Sequence, residues 1–475
     1  MKGKWATFIP ITIALVLRLY PYLYTREPFT TISWDNLYLS NELLSGKVPL
    51  SNLLIIHPTL GSEFFSAIFS KVTSIYPISF EPLIIPAIGS FSVLVIYLMT
   101  RDFGVKVAFL SSTFLALFFG EALIDASIKN AVYGEPLFLL AIWLMMRKTG
   151  IKEDLLLFFI SLSLIPIYFY FTGFLVLIGI FFSLYDRDWR KLLSVSLPLL
   201  ILIPHLLTII KPIYFLALGV YVAFFFLTVF LLRFNVKGYI ISSLVTALVL
   251  LSLFVKLPYS VPFPPYFIPF AVPYIIGFYY INEKRLPYAN LLLSSLLVIL
   301  LFSVIVKTPL SYYIAYRVVD YLSIPLALFF GLGEGRVKSA TALLLLLSVS
   351  NVFAVFATVN LQLPYTGGVT EVYTQPEFFA VGFISHYDVL AEVSTCVKFQ
   401  FLFQYFGQSV DRYSAYYYLL GEAPPPTLFL LPHSLQGYVL NYNENIPNPL
   451  PRNYEERLNN VSLIFNDGAV QLYMG

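Results

Sequence analysis

One cysteine, Cys396, stands in 475 residues, so no internal disulfide can form and no cysteine metal cluster can be built. Histidine is nearly as scarce. His57, His205, His386 and His433 lie far apart, and the two-histidine helix motif of metalloproteases is missing. Charge is low too: 12% of residues are Asp, Glu, Lys or Arg, where a soluble domain carries about 25%. The net charge of +3 is spread over many loops, which excludes the basic stripe of a nucleic-acid-binding protein. No tandem repeat of about 20–50 residues recurs.

What the chain has is apolar length. It is 59% hydrophobic and 18% aromatic, with a mean hydropathy of +0.80. Helices are expected over 6–24, 82–100, 107–120, 136–147, 154–170, 173–185, 192–210, 213–232, 238–256, 265–281, 288–306, 319–333 and 339–358. Most approach the roughly 20 residues that cross a bilayer, so the fold class is a polytopic α-helical membrane protein of about 13 spans. The first helix follows Lys2 and Lys4 and reads as a retained anchor rather than a cleaved signal. The stretch 53–76 is apolar but holds His57, Pro58, Gly61, Glu63 and Lys71, which suits a helix lying at the outer surface.

Every second gap between the runs is basic: Lys2 with Lys4, Arg101 with Lys106, Arg147 with Lys148, Arg187 with Arg190 and Lys191, Arg233 with Lys237, Lys284 with Arg285, Arg336 with Lys338. The other gaps carry acids, tyrosines and prolines. Basic short loops stay cytoplasmic. The N-terminus is therefore expected inside, and residues 360–475 outside as a small α/β domain capping a membrane domain of residues 1–359. The first outer loop is 25–81. Counting 53–76 as a span would reverse every later loop and put the positive charge on the wrong side. The end, VSLIFNDGAVQLY, reads as a β-hairpin with an Asn-Asp-Gly turn.

The candidate chemistry falls on the outer side. Asp35 follows Trp34 and precedes Asn36, Tyr38 and Glu42 at helical spacing. A carboxylate there suits a general base on an acceptor hydroxyl or a cation ligand; it equally suits the N-cap of a surface helix starting at Asn36. Glu121, Asp125 and Lys129 recur every four residues and so share one helix face. They read as a second acidic element facing Asp35 across a cavity, or as a solvated helix end with one ion pair. Glu135 stands before Pro136 at the mouth of the next span, where a charge can also simply snorkel to water. Arg317 and Asp320 open a late span. The arginine fork suits a phosphate, and an Arg317–Asp320 bridge that only anchors the helix is the alternative. His57, beside Pro58, reads more readily as structural.

The order of these elements resembles the GT-C superfamily of integral-membrane glycosyltransferases. The resemblance rests on Trp34-Asp35-Asn36-Leu37-Tyr38, then Gly46–Leu50 (GKVPL), then HPTLG at 57–61 entering a surface helix. The basic RDFGVK turn, the loop ending YGEPLF, Arg317 before PLALFFG, and the outer tail complete it. It implies a sugar carried on a polyprenyl phosphate or pyrophosphate, transferred at the outer face to a glycan, lipid or protein acceptor. It further implies Asp35 as base or metal-binding acid, Asp125 or Glu135 as the second acid, and Tyr38, His57, Lys129 and Arg317 toward substrate, with Arg317 on the lipid phosphate. A divalent cation, Mg or Mn, would sit on Asp35 and Asp125. The chain departs from the family in having Asp35-Asn36 where Asp-Glu is frequent, in showing no Asp-x-Asp in the first two outer loops, and in lacking the WWDYG-type acceptor motif in the tail. A transporter or flippase of lipid-linked saccharide and a non-catalytic assembly subunit are the competing functions. The absence of visible inverted repeats weighs against the transporter.

Overall fold

The computed structural model describes residues 3–46, 59–147, 150–200, 238–252, 268–281, 287–306, 318–334, 340–360, 372–386, 393–395, 397–411, 414–432, 438–441, 446–451 and 453–475. It is mostly helical. Helix α1 (Gly3–Thr25) leads to α2 (Thr31–Ser45) and α3 (Gly61–Thr73), then α4 (Pro77–Thr100), which ends in a tight 3-10 turn at Arg101–Phe103. Helices α5 (Val105–Ala116), α6 (Phe119–Asp125), α7 (Asn130–Met146), α8 (Ile151–Asp186) and α9 (Trp189–Leu200) follow. After them come α10 (Gly238–Ser252), α11 (Ile268–Tyr279), α12 (Pro287–Val306), α13 (Ser323–Glu334) and α14 (Ala340–Asn360).

Among the described residues, four helices are long and apolar enough to cross a membrane, over Trp5–Thr25, Pro77–Phe103, Ile151–Asp186 and Thr341–Asn360. Shorter apolar helices stand at Val105–Ala116, Asn130–Met146, Gly238–Ala247, Pro287–Leu300 and Val318–Gly333. The chain is a membrane protein. The expected span at 213–232 and most of 192–210 lie outside the described residues. Helix α8 is two segments in one. Tyr168 has non-helical angles (φ −159°, ψ 87°) just after Pro166, and Thr172 Oγ1 donates to the Ser161 carbonyl at 3.2 Å. Eleven residues of straight helix would span about 16 Å, so the chain doubles back at Tyr168, matching the separate runs at 154–170 and 173–185.

Among the described residues, the basic gaps around Arg101, Arg147 and Arg190 meet at one end of the helices. Arg147 pairs with Asp102 at 3.3 Å, Arg190 lies 3.9 Å from Asp154, and the Tyr288 hydroxyl donates to Asp186 at 2.8 Å. Ala6, near the start of α1, packs with Tyr97 and Ala108 at this same end. Between the ends, aromatic rings lock helix to helix. Phe138 stacks on Phe171 at 4.6 Å, and Phe114 meets Phe330 at 4.9 Å. Such pairs contribute about 0.5–1.5 kcal/mol each beyond area burial.

Beyond α14 the chain forms α15 (Gln375–Ser385), β1 (Val393–Thr395), α16 (Val397–Tyr405), α17 (Ser414–Leu420), β2 (Leu428–Pro432), β3 (Tyr438–Asn441), β4 (Ile446–Pro449), α18 (Tyr454–Leu458), β5 (Ser462–Asn466) and β6 (Val470–Met474). One sheet runs β1-β2-β6-β5, with β1 and β2 parallel and the other pairs antiparallel. The β5–β6 hairpin turns where expected. Asp467 Oδ1 accepts from the N–H groups of Ala469 and Val470, and Gly468 takes the positive φ of 86° that a side chain resists. Side chains alternate across the sheet. Phe429 and Tyr473 face α17, while Leu430 and Leu472 join a core shared with Trp34 and Leu37 of α2.

Candidate active site

Helix α2 starts at Thr31, after Thr30 with φ 74°. Asp35 therefore lies in the second turn, and the reading of Asp35 as an N-cap fails because the chain enters the helix a turn earlier. Asp35 is partly buried, and that burial pushes its carboxyl up to about 6. Its neighbours are pinned. Trp34 is fully buried, with ring centroids 5.5 Å from Phe378, 5.6 Å from Tyr373 and 5.3 Å from Tyr405. Asn36 donates from Nδ2 to the Ile128 carbonyl at 2.6 Å. Tyr38, one turn on, is within hydrogen-bond reach of Gln404, and burial together with Glu42 raises its phenol. Phe378 also walls an aromatic cavity of about 420 Å³ lined by Phe379, Gly382, Phe383, His386 and Phe406.

Helix α3 is inverted. Its buried side carries Ser62, Glu63, Ser66 and Ser70, while Ile68 and Val72 are 62% and 78% exposed. Such a helix places its apolar side against lipid and its polar side against the protein. On that polar side Ser62 donates to Glu63 Oε2 at 2.9 Å, and Ser40 of α2 donates to Glu81 Oε1 at 3.1 Å. Glu63 and Glu81 are each 1% exposed, and among the described residues neither has an ion-pair partner. Burial pushes Glu63 up to about 7, and the charge of Asp35 adds to the rise.

Asp125 is buried rather than solvated. It is fully buried against Arg18 of α1, whose Nε stands 2.5 Å from Asp125 Oδ2. Gly89 of α4 makes room for it: a β-carbon there would come within 2.7 Å of the Asp125 carboxyl carbon. Glu135 lies beside Asp125 and is buried as well. Lys129 is buried at the N-cap of α7. The four-residue periodicity does not carry through to it, because α6 stops at Asp125 and Ser127 bridges Phe29 in parallel. His57 and Arg317, and with Arg317 the bridge to Asp320, lie outside the described residues. Asp320 itself is buried, with its Oδ1 beside Gly120.

Sequence reasoning passed over Arg18, Glu63, Glu81 and Asn130 as functional residues. Arg18 had a signal, a lone arginine inside an apolar span. Glu81-Pro82 repeats the Glu135-Pro136 pattern at the start of a span. Asn130, which donates to the Thr59 carbonyl at 2.6 Å, had none.

No family model matches the chain, and no curated protein matches it. Solved structures do. The archaeal oligosaccharyltransferase AglB from Archaeoglobus fulgidus, in complex with an inhibitory peptide and a dolichol-phosphate, superposes with a TM-score of 0.50 at 10% identity, over 90% of this chain and 69% of that one. The chain has the GT-C fold. ArnT from Cupriavidus metallidurans bound to undecaprenyl phosphate is also similar, at a TM-score of 0.40 and 9% identity, over 100% of this chain and 98% of that one. Among the described residues no three His, Cys, Asp or Glu side chains gather as ligands, and Asp125 already binds a guanidinium, which a cation would have to displace.

Proposed function

We propose that the chain moves a sugar from a polyprenyl-phosphate donor to an acceptor hydroxyl at the outer face of the membrane. The GT-C fold supports lipid-linked sugar transfer. The dolichol-phosphate held by AglB supports the donor class. By the positive-inside rule the basic end of the helices is cytoplasmic, which puts Asp35 and the inverted helix α3 at the opposite, outer surface. Residues 360–475 would cap that surface. The observation that carries the reading is Asp35, a carboxyl raised to about 6 beside a helix whose apolar side looks outward.

In the transfer, the acceptor oxygen attacks the anomeric carbon and its proton passes to the Asp35 carboxylate. The bond from that carbon to the phosphate oxygen breaks, and its electron pair leaves with the lipid phosphate. A single displacement inverts the anomeric centre. Arg317 is the proposed partner of the phosphate, and Tyr38, His57 and Lys129 the proposed substrate contacts. The burial of Asp125 and Glu135 beside Arg18 argues against a chemical role for either.

The test is turnover of a radiolabelled polyprenyl-phosphate sugar panel by purified protein in lipid. Wild type transfers, and its rate rises with pH through about 6, because only the ionised Asp35 accepts a proton. Asp35→Asn binds donor but turns over about 10²–10⁴ times more slowly. If Asp35→Asn works at the wild-type rate, or if neither protein takes any donor, the enzyme reading gives way to transport or assembly.

A further inference from the structure

The segment from Asp125 to Asn130 joins three parts of the molecule. Asp125 is held by Arg18 of α1. Two residues on, Ser127 makes a parallel bridge to Phe29, and its hydroxyl donates back to the Leu123 carbonyl at 3.1 Å. Ile128 is gripped at both backbone atoms by α2. Its N–H donates to Ser33 Oγ at 2.8 Å, and its carbonyl accepts from Asn36 Nδ2 at 2.6 Å. Asn130 then holds the Thr59 carbonyl, and its amide oxygen meets the Ser62 hydroxyl at the head of α3. Ser33 and Asn36 bracket Asp35, two residues before it and one after. The orientation of Asp35 is thus tied to the backbone of Ile128, and that backbone follows an ion pair of which both members are 0% exposed.

We propose that the Arg18–Asp125 ion pair is a positioning device for Asp35: it anchors the 125–130 segment to α1, and Ile128 transmits that anchor to α2 through Ser33 and Asn36. Asp125 is then a positioning residue, not a base or a metal ligand. This rests on Asp35 being the base. A misplacement of about 1 Å at a reacting group costs about 100-fold in rate, and rotation of α2 by a fraction of a turn moves a side chain at its surface that far.

The test uses Asp125→Asn, the apolar pair Arg18→Met with Asp125→Leu, and Asn36→Leu, each in the full chain in lipid. The apolar pair removes the charges together and so keeps the buried site free of an uncompensated ion. Asn36→Leu cuts the clasp without touching the pair. Amide exchange over residues 126–130 reports whether the segment is still held. The pH midpoint for carbodiimide labelling of Asp35 reports its surroundings, whether or not sugar is transferred. Kinetics report kcat and the donor KM. We expect faster exchange at Ile128, a displaced Asp35 midpoint, and a kcat loss approaching 100-fold with KM held within about twofold. Arg18→Lys, which keeps the charge, brings the midpoint back. Faster exchange with an unmoved Asp35 midpoint overturns the positioning role, as does unchanged exchange in the apolar pair. Variants that show the expected exchange and midpoint shifts, beside a wild type that transfers no sugar, sink the enzyme reading and leave the clasp standing.

Discussion

Lys398 and Glu377 make one buried ion pair and Arg18 and Asp125 another, and the two are completed differently. Lys398 Nζ donates to Glu377 Oε1 at 2.6 Å, and the other oxygen accepts from the Thr374 N–H at 2.9 Å and the Thr374 hydroxyl at 3.3 Å. The ammonium also lies 5.3 Å from the Tyr373 ring centroid. This pair completes a capping box at the head of α15. Arg18 meets Asp125 through Nε alone; among the described residues its two Nη atoms find no hydrogen-bond partner, and Asp125 also lies beside Glu135. The first pair closes a local turn with every oxygen used. The second spans 107 positions and ties α1 to the segment that starts at Asp125. A buried ion pair is therefore not one kind of object: one finishes a helix, the other holds helices in register.

Breaking the second pair from one side has the largest expected effect. Asp125→Asn strands a buried guanidinium and lowers stability by about 3–5 kcal/mol. Thermal unfolding in lipid reads this, and Arg18→Met with Asp125→Leu recovers most of it. A full-stability Asp125→Asn protein would mean that the pair bears little of the fold. Glu63 sharpens the comparison, being a buried acid with no cation beside it among the described residues. Its carboxyl stands near 7 in the fold against an ordinary 4.5. The favourable, protonated form is thus fully populated below about 4.5 and is lost as pH rises through 7. Glu63→Gln removes that loss, so the variant gains on wild type with rising pH, by roughly 3 kcal/mol above pH 7. Melting curves at pH 5 and pH 8 decide it; an equal difference at both would mean that Glu63 does not change its proton in this range. The smallest effect is at the completed pair. Thr374→Ala removes the hydroxyl of the cap and costs about 1 kcal/mol, since the backbone N–H still serves Glu377. A loss as large as that of Asp125→Asn would erase the distinction between the pairs.

Much of the helical frame was legible along the chain. Apolar runs at 82–100, 288–306 and 339–358 correspond to α4, α12 and α14, because length and hydropathy are local quantities that a membrane selects directly. The doubling back at Tyr168 was legible as two runs, and the hairpin at Asp467 as a turn tripeptide. The site was less so. Asp35 stood out by its place after the first helix, but its neighbours did not. Asp125 read as a second acid facing Asp35 or as part of a solvated helix end, because its periodicity with Lys129 is what one continuous helix face would show. The helix ends between them, and the partner of Asp125 lies in α1.

The sequence by itself determined that this chain lives in a membrane and roughly where many of its helices run, since both follow from composition read a few residues at a time. Only the tertiary structure decided that Arg18 meets Asp125, that Ile128 grips both sides of Asp35, and that Glu63 and Glu81 are buried beneath an inverted helix. Those are contacts between polar groups far apart in the chain. A single polar residue carries no periodic mark of its partner, so which charge ends beside which is settled only when the helices pack.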